Sequence, residues 1–346
     1  MALFGRKKTT VGLDIGSGLI KVAVIDHSKR EPELVRVAVT PLLADAIVEG
    51  EVMDPGIVAD AVQAALSSAG IDQKEVVTAV GGRDVIIKKI SIERVKEHQA
   101  RELMRWEAEQ HVPFDMESVE LDFQILDPDG DGVEMSVLLV AAKRELIESK
   151  VRVLTDAGLQ PMVMDVDAFA LHNAFEVNHP DAMNGVVGLL NIGHDVANIN
   201  ILDDGVPLLT RDLTVGTRRF REDLQRERGL SADAAQALIQ GYDRSPHLDS
   251  VIEGRGEEIA VGVERAAAYL AQNSRAGAMR ALYTCGGGSR IPGLNDMLAQ
   301  RLRLRVQQAN PLANLKVRDG ALESLVTDEI APLLMLPIGL ALRQVA

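Results

Sequence analysis

The sequence predicts an α/β chain of two similar domains, and three observations carry that expectation. Residues 12–26 (GLDIGSGLIKVAVID) align without a gap with residues 189–203 (LLNIGHDVANINILD). Ile15 falls opposite Ile192, Gly16 opposite Gly193, Asp26 opposite Asp203, and Asp14 opposite Asn191. The copies lie too far apart for a solenoid, so they read as one hairpin in each of two facing domains. Second, aromatic residues make up only 3% of the 346 residues, which leaves a core of Ala, Val, Leu and Ile and suits alternating strands and helices. Third, RALYTCGGGSRIPGLNDMLAQRL (280–302) reads as a strand, a glycine turn and a helix.

Each copy of the repeat is an apolar run, a glycine turn and then alternating apolar residues, the pattern of a β-hairpin. Residues 55–70 have helical apolar spacing and end at Gly70. Residues 75–92 read as two strands around Gly81 and Gly82, and residues 97–111 as a helix stopped by Pro113. SVELDFQIL (118–126) and VEMSVLLVAA (133–142) alternate like strands, and residues 143–158 form a helix ending at Gly158. A helix, two strands and a helix over about 93–158 therefore predict an αββα module inserted in the first domain. A polar helical stretch rich in Arg and Glu follows the second copy (216–275), and EIAPLLMLPIGLAL (329–342) reads as a helix returning to the first domain. No long low-complexity linker separates the parts, so the domains should interlock.

The net charge of −14 repels nucleic-acid phosphates and argues against a general nucleic-acid binder. The single cysteine, Cys285, permits no internal disulfide and fits a reducing cytosol; with no evident His partner it reads as a buried structural thiol. No signal peptide is visible, and the apolar stretch 330–342, interrupted by Pro332 and Pro337, is shorter than the roughly 20 residues of a membrane span. The chain reads as soluble. Its basic head, with Phe4, Arg6, Lys7 and Lys8, reads as a frayed tail in preference to a membrane contact.

The chemistry concentrates in three glycine turns. DIGSGLIK (14–21) puts Asp14, Gly16, Ser17 and Gly18 in one turn, where bare amides can form an anion nest and a carboxylate can hold hydrated Mg2+ through its waters. The triple glycine 286–288 lets backbone approach a ligand beside a helix start. Other nucleotide motifs fail: no G-x-x-x-x-G-K-[ST] occurs, and the glycine pairs 16/18 and 286/288 are completed by Lys21 and Ile291 where a dinucleotide fingerprint needs glycine. The sequence DPDGDG (127–132) starts like a calcium loop, but its twelfth position is Leu138, so it reads as a turn.

The order of hairpin (14–21), inserted module, second hairpin (191–198) and adenosine turn (286–288) resembles the actin, heat-shock-chaperone and FtsA superfamily. Within it the chain is similar to the PilM family of type IV pilus assembly proteins, most specifically in RWEAEQHVPFDMESVELDF (105–123), AGLQPMVMDVDAFALHNAF (157–175) and CGGGSRIPGL (285–294). The resemblance implies a two-domain actin-like, ribonuclease H-like ATPase fold with an FtsA-type inserted subdomain 1C. Carried onto this chain, it implies subdomain 1A over 1–92, 1C over 93–158 and a return to 1A over 159–185. It further implies subdomain 2A over 186–215 and 276–328, 2B over 216–275, and a last helix (329–346) back on 1A.

The same resemblance implies ATP with Mg2+ as ligand, and a set of site residues. Asp14, Gly16, Ser17 and Gly18, with Lys21 nearby, would line the first phosphate loop; Asn191, Gly193, His194 and Asp195 the second. Gly216 and Thr217 would open a nucleotide-facing helix, Gly286, Gly287, Gly288 and Ser289 would face the adenosine, and Gln236 and Ile239 stand where relatives place Glu and Lys against adenine. Asp167 would lie near the attacking water, with Asp165 a competitor. Asn191 replaces the usual Asp and adds no charge near Mg2+, so binding with slow or absent hydrolysis is expected. The implied partner is the short cytoplasmic N-terminal peptide of inner-membrane PilN, gripped between 1A and 1C, with Arg105, Trp106 and Glu109 as groove residues. Read alone, a lone tryptophan is more often core than contact. The implied role links the PilN–PilO complex to the pilus motor ATPase and platform protein at the cytoplasmic face of the inner membrane. A true ATPase, an FtsA-like polymerising protein and a type II secretion component are the competing expectations.

Overall fold

The computed structural model describes residues 9–344 apart from 244, 275, 323 and 324, with backbone alone at 227, 228 and 273. The basic head therefore lies outside the described residues. Strands β1 (Thr9–Ile15) and β2 (Leu19–Asp26) form the first hairpin, closed by the Gly16 amide donating to the Leu19 carbonyl at 3.1 Å. Strand β3 (Glu33–Pro41) extends the meander. A small hairpin, β4 (Ile47–Val48) and β5 (Glu51–Val52), leads to α1 (Pro55–Ser68). That helix starts where it does because the Asp54 carboxylate accepts from the Ile57 amide at 3.1 Å and Pro55 presets the first turn. Strand β6 (Glu75–Val80) lies parallel to β1. The chain then runs through β7 (Val85–Glu93), α2 (Glu97–His111), β8 (Val119–Ile125) and β9 (Glu134–Lys143). It returns through α3 (Arg144–Asp156), β10 (Gln160–Val166), parallel to β6, and α4 (Asp167–Asn178).

The second half opens with β11 (Val186–Ile192), β12 (Ala197–Asp203) and β13 (Val206–Leu213). Three helices follow: α5 (Thr217–Arg228), α6 (Ala232–Gln240) and α7 (Pro246–Asn273). Then come β14 (Ala281–Cys285), α8 (Leu294–Leu302), β15 (Arg305–Gln308), β16 (Lys316–Val317), α9 (Thr327–Ile330) and α10 (Met335–Leu342). The strand orders are β10-β6-β1-β2-β3-β16 and β13-β12-β11-β14-β15. Apart from β16, each sheet is thus an antiparallel three-strand meander followed by two parallel strands, so the repeat seen in the hairpins extends over whole sheets.

The insert differs from the expected helix–strand–strand–helix grouping. Strand β7 pairs along its full length with β9, giving a three-stranded sheet β7-β9-β8 under α2 with its own core of Ile90, Ile92, Ala100, Met104, Val137 and Leu139. Helix α3 instead buries Val153 and Leu154 with Val58 and Val62 of α1 in the first domain. Apolar periodicity tells a strand or helix that it has a face to bury, and leaves open which neighbour covers it.

Helices α4 and α10 lie between the two sheets. Their Ala170, Leu171, Phe175, Ile338 and Leu340 share one core with Ala23, Ile25 and Val77 of the first sheet and Val187, Leu189 and Tyr283 of the second. Gly339 permits this, since a Cβ there would run into the Ala170 carbonyl. Cys285 is buried in this shared core, and burial pushes its thiol up to about 12.

Candidate functional site

The two glycine hairpins meet face to face. In the first, Asp14 on β1 stands directly opposite Lys21 on β2, and the two side chains form an ion pair. In the second, Asn191 on β11 stands opposite Asn198 on β12. Between the jaws, a Cβ on Gly18 would lie 2.9 Å from the His194 ring. Gly18 is therefore needed for the tips to approach at all. Burial holds the His194 imidazole below its usual range, and its Nδ1 lies 3.3 Å from the Thr217 hydroxyl. The start of α5 is docked on this hairpin: the Thr217 amide donates to the Gly193 carbonyl at 3.0 Å and the Arg218 amide to the His194 carbonyl at 2.9 Å. A Cβ on Gly216 would strike that same His194 carbonyl.

The structure separates the two competing acids. Asp165 is 4% exposed and is tied to Arg343 at 2.9 Å, while its other oxygen accepts from the Val166 amide, so it is a structural carboxylate. Asp167 is the first residue of α4 and faces the cleft behind Gly81. Burial pushes its carboxyl up to about 6, opposed by the Lys150 ammonium and reinforced by the Asp14 carboxylate; Lys21 and Asp212 also act on it. Lys150 and Asp212 are cleft residues that sequence reading missed. Lys150 reaches the Ile15 carbonyl from α3 at 3.4 Å, and nothing in its helical context marks it. Asp212 sits on β13 opposite Asn198, whose Nδ2 donates to it at 2.6 Å. Its one sequence signal is an acid at the end of an alternating strand just before Gly216.

The triple-glycine turn differs from a simple strand-to-helix turn. Gly286 has φ +78°, a conformation other residues rarely adopt, and a 3₁₀ turn (Gly287–Arg290) intervenes before α8 begins at Leu294. The Gly286 amide donates to the Pro332 carbonyl at 2.8 Å, so the C-terminal segment braces the turn. Ser289 is 3% exposed; its hydroxyl donates to the Gly286 carbonyl at 2.8 Å and receives the Gln308 amide at 3.0 Å. It holds the turn together from inside. Helix α6 packs on this turn and carries Gln236 half-buried. Ile239, which stands where relatives place Lys, is 3% exposed and packs in the second-domain core.

A clasp closes the cleft on the hairpin side. The Asp195 carboxylate in the second domain accepts from the Glu49 amide of the first at 3.1 Å, and its other oxygen forms an ion pair with Arg218, 3.1 Å from Nε. Arg218 in turn reaches Asp45 of the first domain at 2.7 Å. Asp45 and Glu49 both have positive φ (62° and 49°), an unfavourable conformation for non-glycine residues that these contacts hold in place.

The residues present suit a magnesium-bound nucleotide. Gly18, Gly193, Gly216, Gly286 and Gly288, where an added Cβ would come within 3.0 Å of a neighbour, border the space, Lys21 and Lys150 supply positive charge, and Asp14, Asp167 and Asp212 supply carboxylates. Among the described residues no three His, Cys, Asp or Glu side chains stand together as a direct metal cage. Single carboxylates acting through waters and phosphates match the way Mg2+ is usually held.

Comparison with known proteins gives the lineage. The family model described as "Type IV pilus assembly protein PilM" matches residues 12–345. The chain belongs to the type IV pilus assembly protein PilM family. It is 28% identical, with a TM-score of 0.86, to a chain of a PilM–PilN type IV pilus biogenesis complex, over 99% of this chain and 100% of that one. The ethanolamine utilization protein EutJ from Carboxydothermus hydrogenoformans shares the fold at 17% identity and a TM-score of 0.60, over 97% of this chain and 90% of that one. MreB 5 of Spiroplasma citri bound to AMPPNP does so at 12% identity and 0.54, over 97% and 95%. The fold is the actin-like ATPase fold.

In this PilM-family chain, Arg105, Trp106 and Glu109 share the solvent face of α2, opposite the buried Ala100, Met104 and Ala108. Trp106 is 71% exposed, which corrects the expectation that a lone tryptophan lies in the core. Its position in the heptad of α2 points away from the sheet, and with only three buried positions the helix face is too narrow to include it. None of the three lines the concavity of about 580 Å3 at the N-terminal end of α2, which is formed by Arg94, Lys96, Gln99, Ile125 and their neighbours. Among the described residues no helix is long and apolar enough to cross a membrane.

Proposed function

We propose that the chain is an ATP-binding scaffold of the type IV pilus assembly machinery. It holds the short cytoplasmic N-terminal peptide of inner-membrane PilN, and so sits at the cytoplasmic face of the inner membrane. Through that grip it links the PilN–PilO complex to the motor ATPase and platform protein. The observation that carries the reading is the full-length likeness, at 28% identity, to a chain from a PilM–PilN complex. Membership of the PilM family and the paired hairpins support it.

Within this reading each cleft residue has a task. The amides of the Gly16–Gly18 and Gly193–Asp195 turns and the ammonium groups of Lys21 and Lys150 receive phosphate oxygens. The glycine turn 286–288 and Gln236 of α6 border the adenosine. Mg2+, when bound, would offset charge on the phosphates. Asp167, with its raised affinity for a proton, orients a water. Asn191 and Asn198 place uncharged amides where a second charged pair would polarise that water, so hydrolysis is slow or absent. Strand β13 packs beside β7, the first strand of the sheet that carries α2. Jaw movement is thereby transmitted to the insert, and nucleotide state tunes peptide affinity.

The test is calorimetry of a PilN N-terminal peptide against the protein with and without Mg·ATP, with released phosphate measured in parallel. Peptide affinity should differ by roughly 5–150-fold between the two states. Equal affinities would reduce ATP to a structural ligand, and turnover near about one per second, ordinary for an enzyme, would overturn the role given to Asn191.

A further inference from the structure

The register of the second sheet identifies one more functional residue. Residues directly opposite on neighbouring strands project from the same face. In the first sheet the row at the hairpin mouth reads Asp14, Lys21, Val39 across β1, β2 and β3. In the second it reads Asn191, Asn198, Asp212 across β11, β12 and β13. The second row has amides where the first has charges, and a carboxylate where the first has a valine. The acid of this row stands on the third strand of the meander, where the first sheet has its acid on the first strand.

The surroundings of Asp212 are those of a group awaiting a cation. Asn198 Nδ2 donates to Asp212 Oδ1 at 2.6 Å and fixes the direction of the carboxylate. Asn198 Oδ1 is buried and has no partner among the described residues. Burial pushes the Asp212 carboxyl up, and the amide of Asn198 is the one group opposing that shift; no described Lys or Arg does. Asp212 lies near enough to Asp167 to act on its ionisation, which puts it in the same cleft. A half-buried carboxylate without a countercharge, beside an orphaned amide oxygen, is costly in the empty protein. Hydrated divalent cations satisfy such a pair, one water donating to each oxygen.

We propose that Asp212 is the second-domain acceptor for the water shell of the nucleotide's divalent cation, standing in for the carboxylate that position 191 lacks, with Asn198 as its positioning residue. The proposal rests on the nucleotide reading of the cleft. It also gives a role to the one acid in a row whose other two members, Asn191 and Asn198, are uncharged amides.

The test measures ATP affinity in Mg2+ and in EDTA, together with melting temperature, for the wild type, Asp212→Asn, and Asp212→Asn combined with Asn191→Asp. Asp212→Asn keeps the side-chain shape and removes the charge. The gain in ATP affinity from Mg2+ should fall about tenfold, the effect of losing one charge-assisted contact. Affinity in EDTA should hold or rise, because a negative charge facing the phosphates is gone. The ligand-free melting temperature should hold or rise, while the increase on adding Mg·ATP shrinks. Asn191→Asp in that background should restore part of the Mg2+ dependence. An unchanged Mg2+ gain in Asp212→Asn, with wild-type ATP binding intact, overturns the assignment and leaves the nucleotide reading standing. A lower ligand-free melting temperature with equal affinity loss in Mg2+ and EDTA makes Asp212 structural and also overturns it. Failure of the wild type to bind ATP overturns both readings.

Discussion

At the scale of single residues, the cleft concentrates groups that cost stability. Asp167 shows this most clearly. Its carboxyl is pushed up to about 6 from an ordinary value of 3.8, first by burial, so ionising it in the fold is harder than in the unfolded chain. The favourable contribution is present in full below pH 4 and is lost as pH rises through 6, because the folded state keeps its proton over that window. Asp167→Asn should therefore raise stability at pH 7 by about 2 kcal/mol, with the gain fading below pH 4, as read by denaturant unfolding at a series of pH values. An equal effect at pH 3 and pH 7 would mean that packing, and not charge, sets it. The sequence named Asp14, Lys21 and Asp167 without knowing how they interact. It could not name Lys150 or Asp212, which come from an insert-adjacent helix and a third strand and enter the cleft only through folding. It marked Ile239 as a departure from the Lys of relatives, and that side chain packs in the second-domain core.

At the scale of elements, α2 separates what holds the insert from what faces a partner. Ala100, Met104 and Ala108 anchor it on the β7-β9-β8 sheet, and Arg105, Trp106 and Glu109 stand on the far side. Trp106→Ala should leave the melting temperature unchanged within about a degree, since so exposed a side chain buries little. If α2 contacts the PilN peptide, the same change should weaken peptide binding by about tenfold or more, the usual effect of losing an aromatic anchor. Unaltered peptide affinity in calorimetry would move the contact elsewhere on the insert, for instance to the concavity beside Arg94 and Lys96. The periodicity of α2 marked it as a helix from the sequence. That β7 joins its sheet while α3 leaves for the first-domain core was decided by strand pairing and by the apolar face of α1.

At the scale of the whole molecule, two sheets of matching order share a core through α4 and α10, and a clasp of Arg218, Asp195, Asp45 and the Glu49 amide spans the cleft mouth. Arg218→Ala leaves Asp195 buried without its cation and should lower stability by about 3 kcal/mol. Spin labels placed across the cleft should then report a broader distance distribution in the empty protein, narrowing again with Mg·ATP; an unchanged distribution would show that the shared core alone holds the domains together. The sequence by itself determined the duplication, the glycine turns and the loss of charge at Asn191, because a hairpin is a local structure whose strands and turn lie within a few residues of each other. Only the tertiary structure decided that Gly18 meets His194, that Asp165 is tied to Arg343 while Asp167 faces the cleft, and that Asp212 aligns with Asn191. Those relations join segments from 20 to more than 170 residues apart. They are set by sheet register and by the packing of two domains around buried helices, which no local pattern of residues encodes.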